Sequence, residues 1–216
     1  MILRPWNENI WFSPCYVINE LTREAMIGDP QRFKRAKEAW ICAVAVICHS
    51  SYKPAEWWIQ LPKTDPPDVL AMNLVPTPDG TGQNLSELKV EVFEISAFDA
   101  NESIEQSIER KLNGKDYSGM TLIGFVRREG FFNHVEIAKY IQNLKPNVLA
   151  LNLIVFEEMK STNVTFIQLF PEVVKFKADF GQFCKTTKQR DFIEIRRGMK
   201  TEKDDATTTD WLTMIP

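Results

Sequence analysis

The sequence predicts an α/β protein built on a mixed β-sheet with helices packed on its faces. Two observations carry this prediction. Apolar runs of strand length, rich in β-branched and aromatic residues, recur along the chain, and amphipathic or half-apolar helical segments separate them. In the second half, strands alternate with helices, an order typical of sheets that carry helical layers. The content of 44% hydrophobic and 25% charged residues fits a folded chain rather than a disordered one.

The first long element is a helix predicted in GDPQRFKRAKEAWICAVAVICHS, residues 28–50. Asp29 stands where an N-cap is expected, and Pro30 takes the first helical position, where its missing N–H costs nothing. The charged first half of the helix is expected at the surface and the apolar second half in the interior. Residues 1–27 have mixed composition and contain one predicted short helix.

Three strands are predicted next, at 55–62, 68–76 and 88–96. The second is nearly all apolar, which is typical of a strand inside a sheet. Between the second and third strands, the segment TPDGTGQN at 77–84 combines proline, Asp-Gly and a further glycine, the composition of a turn. These two strands are therefore expected to form an antiparallel hairpin.

The clearest helix lies in residues 99–116, because Ile104, Ile108 and Leu112 recur on one face and Gly114 follows as a C-cap. A fourth strand, a second amphipathic helix stopped by a proline, and one further strand or two complete the order. Their segments are 120–128 for the strand, 133–146 for the helix, and 148–158 with 163–176 for the last part.

Charge and cysteine content narrow the classes of function. The net charge of -3 and pI of about 5.6 argue against a surface coated in positive charge, although a local basic groove remains compatible with them. The longest apolar run, 39–48, is too short for a bilayer, which needs roughly 20 residues. The N-terminus lacks the apolar stretch of an export signal, so we expect a cytoplasmic location without membrane association. The four scattered cysteines predict buried thiols rather than disulfides or a zinc site.

Acidic side chains flank the predicted hairpin in a pattern that can bind a metal ion. Asp68 follows two prolines at the start of the second strand, and Glu91 and Glu94 lie on the third, in VEVFEIS. An antiparallel hairpin can bring an Asp at the start of one strand opposite a Glu on the next. Mg²⁺ prefers such hard oxygen ligands, and it assists phosphodiester hydrolysis by neutralising charge and lowering the pKa of the attacking water. Asp68 can equally serve only to bond nearby backbone N–H groups in a turn.

With the following helix segment SIERKL, these pieces resemble the PD-(D/E)XK superfamily of restriction-endonuclease-like nucleases. The resemblance covers roughly residues 30–130 and implies a mixed sheet with a core of αβββαβ order. It implies one nuclease-like domain over 1–216, with extra C-terminal strands in an elaboration at 131–199 and a loosely held tail at 200–216. It further implies Mg²⁺ bound by Asp68 and Glu91.

The sequence departs from that family where a catalytic lysine should follow the glutamate. Phe93 stands two residues after Glu91, and Ser96 stands two residues after Glu94, so neither choice of glutamate supplies the positive charge. We prefer Glu91 because it matches the family pattern, whereas Glu94 lies nearer the end of its strand and so nearer Asp68. The register of the hairpin decides between them, and the sequence leaves it open.

Two lysines are candidates to replace the missing one. Lys111 shares the buried stripe of its helix, and Lys89 lies two residues before Glu91 on the same strand face. The alternative for Lys111 is a side chain that extends to solvent at the helix end, which the helix dipole favours. Glu38, on the first helix, is a further candidate beside a metal, with a surface position as the alternative.

Basic residues form the candidate nucleic-acid contacts. Arg127 and Arg128 follow the fourth strand, and Arg196 and Arg197 lie in a basic segment at 185–200 that is predicted as an edge strand. Such a strip can hold a phosphate backbone, or it can protect a sheet edge from pairing with another chain. The partner is then DNA or RNA. A catalytically inactive binding or scaffolding module is the alternative function, and the oligomeric state stays open, with a homodimer among the options.

Overall fold

The sheet of this protein is assembled from the whole length of the chain, as a computed structural model shows. The structure describes residues 9–25, 30–62, 66–76, 83–95, 102–127, 132–156, 158, 161–197 and 212–214. The elements are β1 (Ile10–Phe12), α1 (Pro14–Ala25), α2 (Pro30–Tyr52), β2 (Glu56–Gln60), β3 (Val69–Pro76), β4 (Gln83–Ile95), α3 (Ile104–Leu112), β5 (Met120–Val126), α4 (His134–Leu144), β6 (Ala150–Phe156), β7 (Asn163–Phe170), β8 (Val174–Asp179), α5 (Phe180–Thr186), β9 (Phe192–Arg197) and β10 (Leu212–Met214).

Nine of these strands form one mixed open sheet, and the short β10 pairs with its end at β9. The strand order is β10-β9-β1-β2-β3-β4-β5-β6-β7-β8. The pairs β2–β3 and β3–β4 are antiparallel, β4–β5 and β5–β6 are parallel, and β6–β7 and β7–β8 are antiparallel. The prediction of an α/β protein with a mixed sheet is confirmed.

The predicted hairpin is also confirmed. Strands β3 and β4 pair antiparallel, from Val69 opposite Val90 to Pro76 opposite Gln83. Strand β4 begins five residues earlier than the predicted start at 88. The residues after the turn are mostly polar, but they still form ladder pairs with the end of β3. The turn itself, at 77–82, lies outside the described residues.

Helices cover the sheet on both faces. The apolar half of α2 packs on one face, where Val69, Val90 and Val92 join its core. The other face is covered by α3 and α4, and their buried isoleucines pack against β5, β6 and the end of β4. We call these the α2 face and the α3 face. The helix-forming stripes read from the sequence therefore build two separate layers, as amphipathic helices on a sheet require.

Two predictions about the C-terminal half need correction. Residues 148–176, expected to supply one strand or two, contribute β6, β7 and the beginning of β8, because the chain turns at 171–173 and pairs back on itself. Strand β9 was expected at a sheet edge. It ends the nine-strand sheet, but the short β10 pairs along its outer side. Its inner neighbour is the N-terminal strand β1, a long-range pairing that local sequence does not encode.

Within the described residues, no helix is long and apolar enough to cross a membrane. The candidate N-cap Asp29 lies outside the described residues, whereas Pro30 opens α2 as expected.

Candidate carboxylate site

Asp68 and Glu91 occupy neighbouring positions at the start of the β3–β4 ladder. The ladder begins with Val69 opposite Val90, so Asp68, one residue before, stands next to Glu91, one residue after. Val69 and Val90 pack on the α2 face, and alternation along the strand therefore turns Glu91 to the α3 face. Both carboxylates are buried, with 9% of Asp68 and 6% of Glu91 exposed. The register thus places Glu91, rather than Glu94, beside the aspartate.

Asp68 performs a structural task at this point. Its Oδ2 accepts a hydrogen bond of 2.8 Å from the backbone N–H of Val92, one residue beyond Glu91. The side chain therefore supplies an acceptor just beyond the last residue pair of β3 and β4. This bond reaches the neighbouring strand, whereas the turn role considered for Asp68 calls for a bond within its own segment.

Glu91 is paired with the lysine that the sequence offered as a substitute. Lys111 Nζ lies 3.0 Å from Glu91 Oε2, and the two side chains are only 17% and 8% exposed. The ammonium also lies 5.3 Å from the centre of the Tyr117 ring, within the range of a cation–π contact. Lys111 therefore points towards the sheet at its helix end rather than out to solvent.

The protonation of Lys111 follows from these contacts. Burial by itself lowers the pKa of the amine, but the hydrogen bond and the charge of Glu91 outweigh it, and the net pKa lies above the ordinary value of 10.5. Lys111 is therefore a cation at neutral pH. It can neutralise charge or orient a bound group, whereas it has no free lone pair with which to act as a base.

Helix α3 can position Lys111 because its first turn is capped and its apolar side packs on the sheet. The Ser103 hydroxyl caps the first turn by accepting from the Gln106 N–H. The Gln106 side-chain oxygen accepts in turn from the Ser103 N–H, and the two bonds form a capping box. Ile104 and Ile108 are buried against the α3 face. Lys111 follows Ile108 by three residues and so lies on the same side of the helix, over β4.

Phe93, at the position of the missing lysine, belongs to the apolar core of the α3 face. It is paired with Gly124 on β5, and its ring covers the place where a side chain of residue 124 would stand. A Cβ added at Gly124 would lie 2.8 Å from Phe93 Cζ and 2.7 Å from Leu153 Cδ2. The ring and the glycine are thus matched in shape.

Glu94 lies on the opposite face of the sheet and is part of a different cluster. It accepts from Lys37 on α2 and from Arg127 Nη1 at 2.8 Å. Burial raises the pKa of Glu94, but the hydrogen bonds and charges of Lys37 and Arg127 outweigh it, so the net pKa lies below its ordinary value of 4.5. Lys37 was not singled out from the sequence. Only the packing of the first turns of α2 over the end of β4 brings it here.

The other predicted residues have the following positions. Lys89 is exposed on β4. Glu38 is 7% exposed, so the expected surface position is wrong, and Lys34 Nζ lies 3.5 Å from its Oε1. Arg128 lies outside the described residues, and Arg196 and Arg197 are placed in β9 by their backbone alone. Arg127 follows β5, and strands β1 to β4 separate it from the arginines of β9 in the strand order.

The donor set fits one magnesium ion of ordinary protein type. Mg²⁺ is commonly held by one or two carboxylates with water in its other positions, and Asp68 and Glu91 offer two adjacent carboxylates. Among the described residues, no group of three or more His, Cys, Asp or Glu side chains could hold a metal. A cage built entirely from protein side chains is therefore absent from this part of the chain.

Comparison with protein-family models, with curated proteins and with solved structures finds no match to this chain.

Proposed function

We propose that this protein hydrolyses phosphodiester bonds of DNA or RNA with the help of Mg²⁺ held by Asp68 and Glu91. The observation that carries the proposal is the approach of Lys111 Nζ to 3.0 Å from Glu91 Oε2, next to Asp68 in the register of β3 and β4. Two buried carboxylates and one buried ammonium are the set of groups that this chemistry uses.

The order of elements supports the same function. Helix α2, strands β2, β3 and β4, helix α3 and strand β5 follow one another as α, βββ, α, β, with β4 and β5 parallel. This is the order of the restriction-endonuclease-like core that the motifs resemble. Asp68 directly precedes the second strand of this order and Glu91 lies on the third, the positions that the resemblance implies for the acidic motif residues. Mg²⁺, when bound, would supply Lewis acidity and an activated water.

The lysine of the motif is supplied from a helix in this proposal. Lys111 reaches Glu91 from α3, while the strand position two residues after Glu91 is filled by Phe93 in the core. Because the sheet and α3 are packed together, a lysine on either can deliver its ammonium to the same carboxylate. The proposal therefore needs no lysine at position 93.

The protein has a net charge of -3, which repels the phosphate backbone overall. Nucleic acid would therefore bind at a local group of basic residues. Lys37 and Arg127 lie together near the C-terminal ends of β4 and β5, and each is about one third exposed. They are cations that phosphate groups can reach on the α2 face. Arg128, Arg196 and Arg197 remain proposed contacts on the basis of sequence.

The test is cleavage of supercoiled plasmid and of single-stranded DNA and RNA with Mg²⁺ or Mn²⁺. Asp68→Asn is the informative variant, because asparagine keeps an acceptor for the Val92 N–H but loses the charge. Glu91→Gln is its companion, and Glu172→Gln, at an exposed position in the turn between β7 and β8, is the matched control. We expect the first two to lower the cleavage rate at least about a hundredfold and the control to change it little. Cleavage that survives both site substitutions would overturn the assignment.

A second candidate is a catalytically inactive binding or scaffolding module of the same fold. The observation that favours it is that both carboxylates already have protein partners, Asp68 in Val92 and Glu91 in Lys111. Titration calorimetry with Mg²⁺ and Mn²⁺ separates the two functions. Binding at millimolar affinity or better that Asp68→Asn abolishes supports the hydrolase, whereas no binding to the folded wild type supports the module.

A further inference from the structure

Three aromatic rings stack on one another between the core and the surface, and the outermost ring belongs to Tyr52. Phe166 on β7 is 4% exposed, and the centre of its ring lies 5.1 Å from that of Phe176 on β8, with 26° between the ring planes. The centre of the Phe176 ring lies in turn 5.1 Å from that of Tyr52, at 13°. Tyr52 is 53% exposed. One end of the stack is therefore buried, whereas the other presents a tyrosine ring to solvent.

The last turn of α2 also holds Tyr52 in place. Tyr52 is the final residue of the helix, and the chain is still fixed one residue further on, where the Lys53 N–H donates to the His49 carbonyl over 2.7 Å. The His49 ring packs edge-on against Trp57 on β2, with 5.6 Å between the ring centres. Because the helix end and the stack both restrain Tyr52, a ligand that packs against its ring would cost little conformational entropy.

Positive charge accompanies the exposed ring. The exposed Lys53 has its Nζ 5.8 Å from the centre of the Tyr52 ring. Lys175 and Lys177 are exposed on either side of Phe176, on the strand that ends the strand order. Alternation along β8 turns these two lysines to the other face, so they add charge along the edge rather than over the ring. An anionic ligand is therefore favoured here over a cationic one.

We propose that Tyr52 and Lys53 form a binding site for single-stranded DNA or RNA, in which an unpaired base stacks on the Tyr52 ring and the Lys53 ammonium attracts a neighbouring phosphate. A nucleotide combines the two features that this surface selects, a flat ring and a negative charge close to it. A duplex keeps its bases stacked inside and offers this surface its phosphates alone. Single strands should therefore bind more tightly than duplexes, with little preference for sequence, because every base has a π-face.

The inference goes beyond the proposed hydrolysis and rests on it in one respect, that both take nucleic acid as the ligand. Tyr52 packs on the α2 face through Phe176, whereas Glu91 belongs to the α3 face. Binding measured in EDTA needs neither Mg²⁺ nor cleavage, so the two proposals can fail separately. Cleavage that is lost in Asp68→Asn concerns the hydrolysis, and binding that is lost in Tyr52→Leu concerns this site.

The test is fluorescence anisotropy in EDTA with a labelled single strand of about eight nucleotides, a length within the range of known single-strand sites. We expect Tyr52→Leu to weaken binding at least about fivefold, and Tyr52→Phe, which keeps an aromatic ring, to bind as the wild type does. Tyr140→Leu is the matched control and should change binding little. Tyr140 is 37% exposed on α4, but its hydroxyl donates to Glu109 over 2.6 Å, so its surroundings repel phosphate.

An abasic strand of the same length separates stacking from charge. Wild type and Tyr52→Leu should bind it equally, because a phosphate backbone without bases makes no use of the ring. Lys53→Gln should make binding of the base-bearing strand less steeply dependent on salt. Three results would each overturn the proposal: no binding by the folded wild type, binding of the base-bearing strand that Tyr52→Leu leaves unchanged, and an equal loss in Tyr52→Leu for both strands.

Discussion

Glu91 and Lys111 place one negative and one positive charge where little water reaches either of them. Their mutual attraction offsets the cost of removing two ions from water, and either charge buried without the other would destabilise the fold. The coupling of such a pair is measured by comparing the stability lost when one partner is replaced with the stability lost when both are replaced.

We expect Lys111→Met to lower the free energy of unfolding by about 2–3 kcal/mol, since it leaves the Glu91 carboxylate buried without its cation. The double variant Glu91→Gln with Lys111→Met should regain most of that loss. Urea unfolding of the four proteins in the cycle measures the coupling. Lys115→Met, at an exposed lysine four residues on, is the control and should change little. A double variant no more stable than Lys111→Met alone contradicts the expected coupling.

Glu94 gives the fold a dependence on acid pH. Its pKa in the folded protein lies below the ordinary value of 4.5, so its ionised form stabilises the fold at higher pH, and this contribution is lost as the pH falls through the lower pKa. We expect Glu94→Gln to lose less stability than the wild type between about pH 6 and about pH 3. Urea midpoints at both pH values measure this difference. Equal losses in the two proteins would show that Lys37 and Arg127 do not hold the carboxylate in solution.

At the residue scale, the sequence pointed to the residues of the carboxylate site but not to the surroundings of Glu94 and Glu38. Asp68, Glu91 and Lys111 were all singled out, because carboxylates beside a hairpin and a lysine on a buried stripe are visible in one dimension. The partner of Glu94 was not found, since Lys37 reaches it only through the tertiary packing of α2. The burial of Glu38 was missed for the same reason.

At the element scale, β4 and β5 are fitted to each other through Phe93 and Gly124. The phenyl ring occupies the space beside the glycine, and the leucine at position 153 closes it from β6. A lysine at position 93 would therefore remove a ring from the core and bring an ammonium to an apolar place.

We expect Gly124→Ala to lower the free energy of unfolding by about 1–3 kcal/mol, because its methyl group would overlap Phe93 and Leu153. Adding Phe93→Leu to Gly124→Ala should recover part of this loss, since the nearest ring atom is then gone. Thermal or urea unfolding of both single variants and the double variant gives the result. Strictly additive losses would mean that the ring yields freely and does not fit the glycine.

The elements themselves were largely predictable. Helix α2 has a proline at its first position and an apolar second half, and β3 is an unbroken apolar run. Both signals are local. The early start of β4 was not predictable, because the residues at 83–87 are mostly polar and become strand only by pairing with β3.

At the scale of the whole molecule, the first strand, β1, pairs in the sheet with β9 from near the other end of the chain. Trp11 on β1 and Ile193 and Ile195 on β9 share a core cluster with Trp58 and Met72. Local pattern gives no sign of this arrangement, since pairing between residues 10–12 and 192–194 depends on the folded path of everything between them.

We expect a chain that ends at residue 190 to lose its cooperative unfolding transition, because β1 then has one neighbour and the cluster around Trp11 opens to water. A chain that ends at residue 197 keeps β9 and is the matched control, with a transition close to that of the full chain. Thermal unfolding followed by tryptophan fluorescence compares the two. If both truncated chains unfold at the same midpoint, β9 is dispensable and the paired ends do not stabilise the sheet.

The bond from Val92 to Asp68 has a consequence for how this protein can change over evolutionary time. An aspartate that completes a strand ladder is retained by selection for folding, whether or not it also serves a reaction. Glu91 and Lys111, by contrast, can be exchanged together for apolar residues once no reaction needs their charges. A lineage without the proposed hydrolysis would thus lose this pair while Asp68 persisted. Among descendants of this fold, the salt bridge to α3 is therefore a better marker of the proposed hydrolysis than Asp68 is.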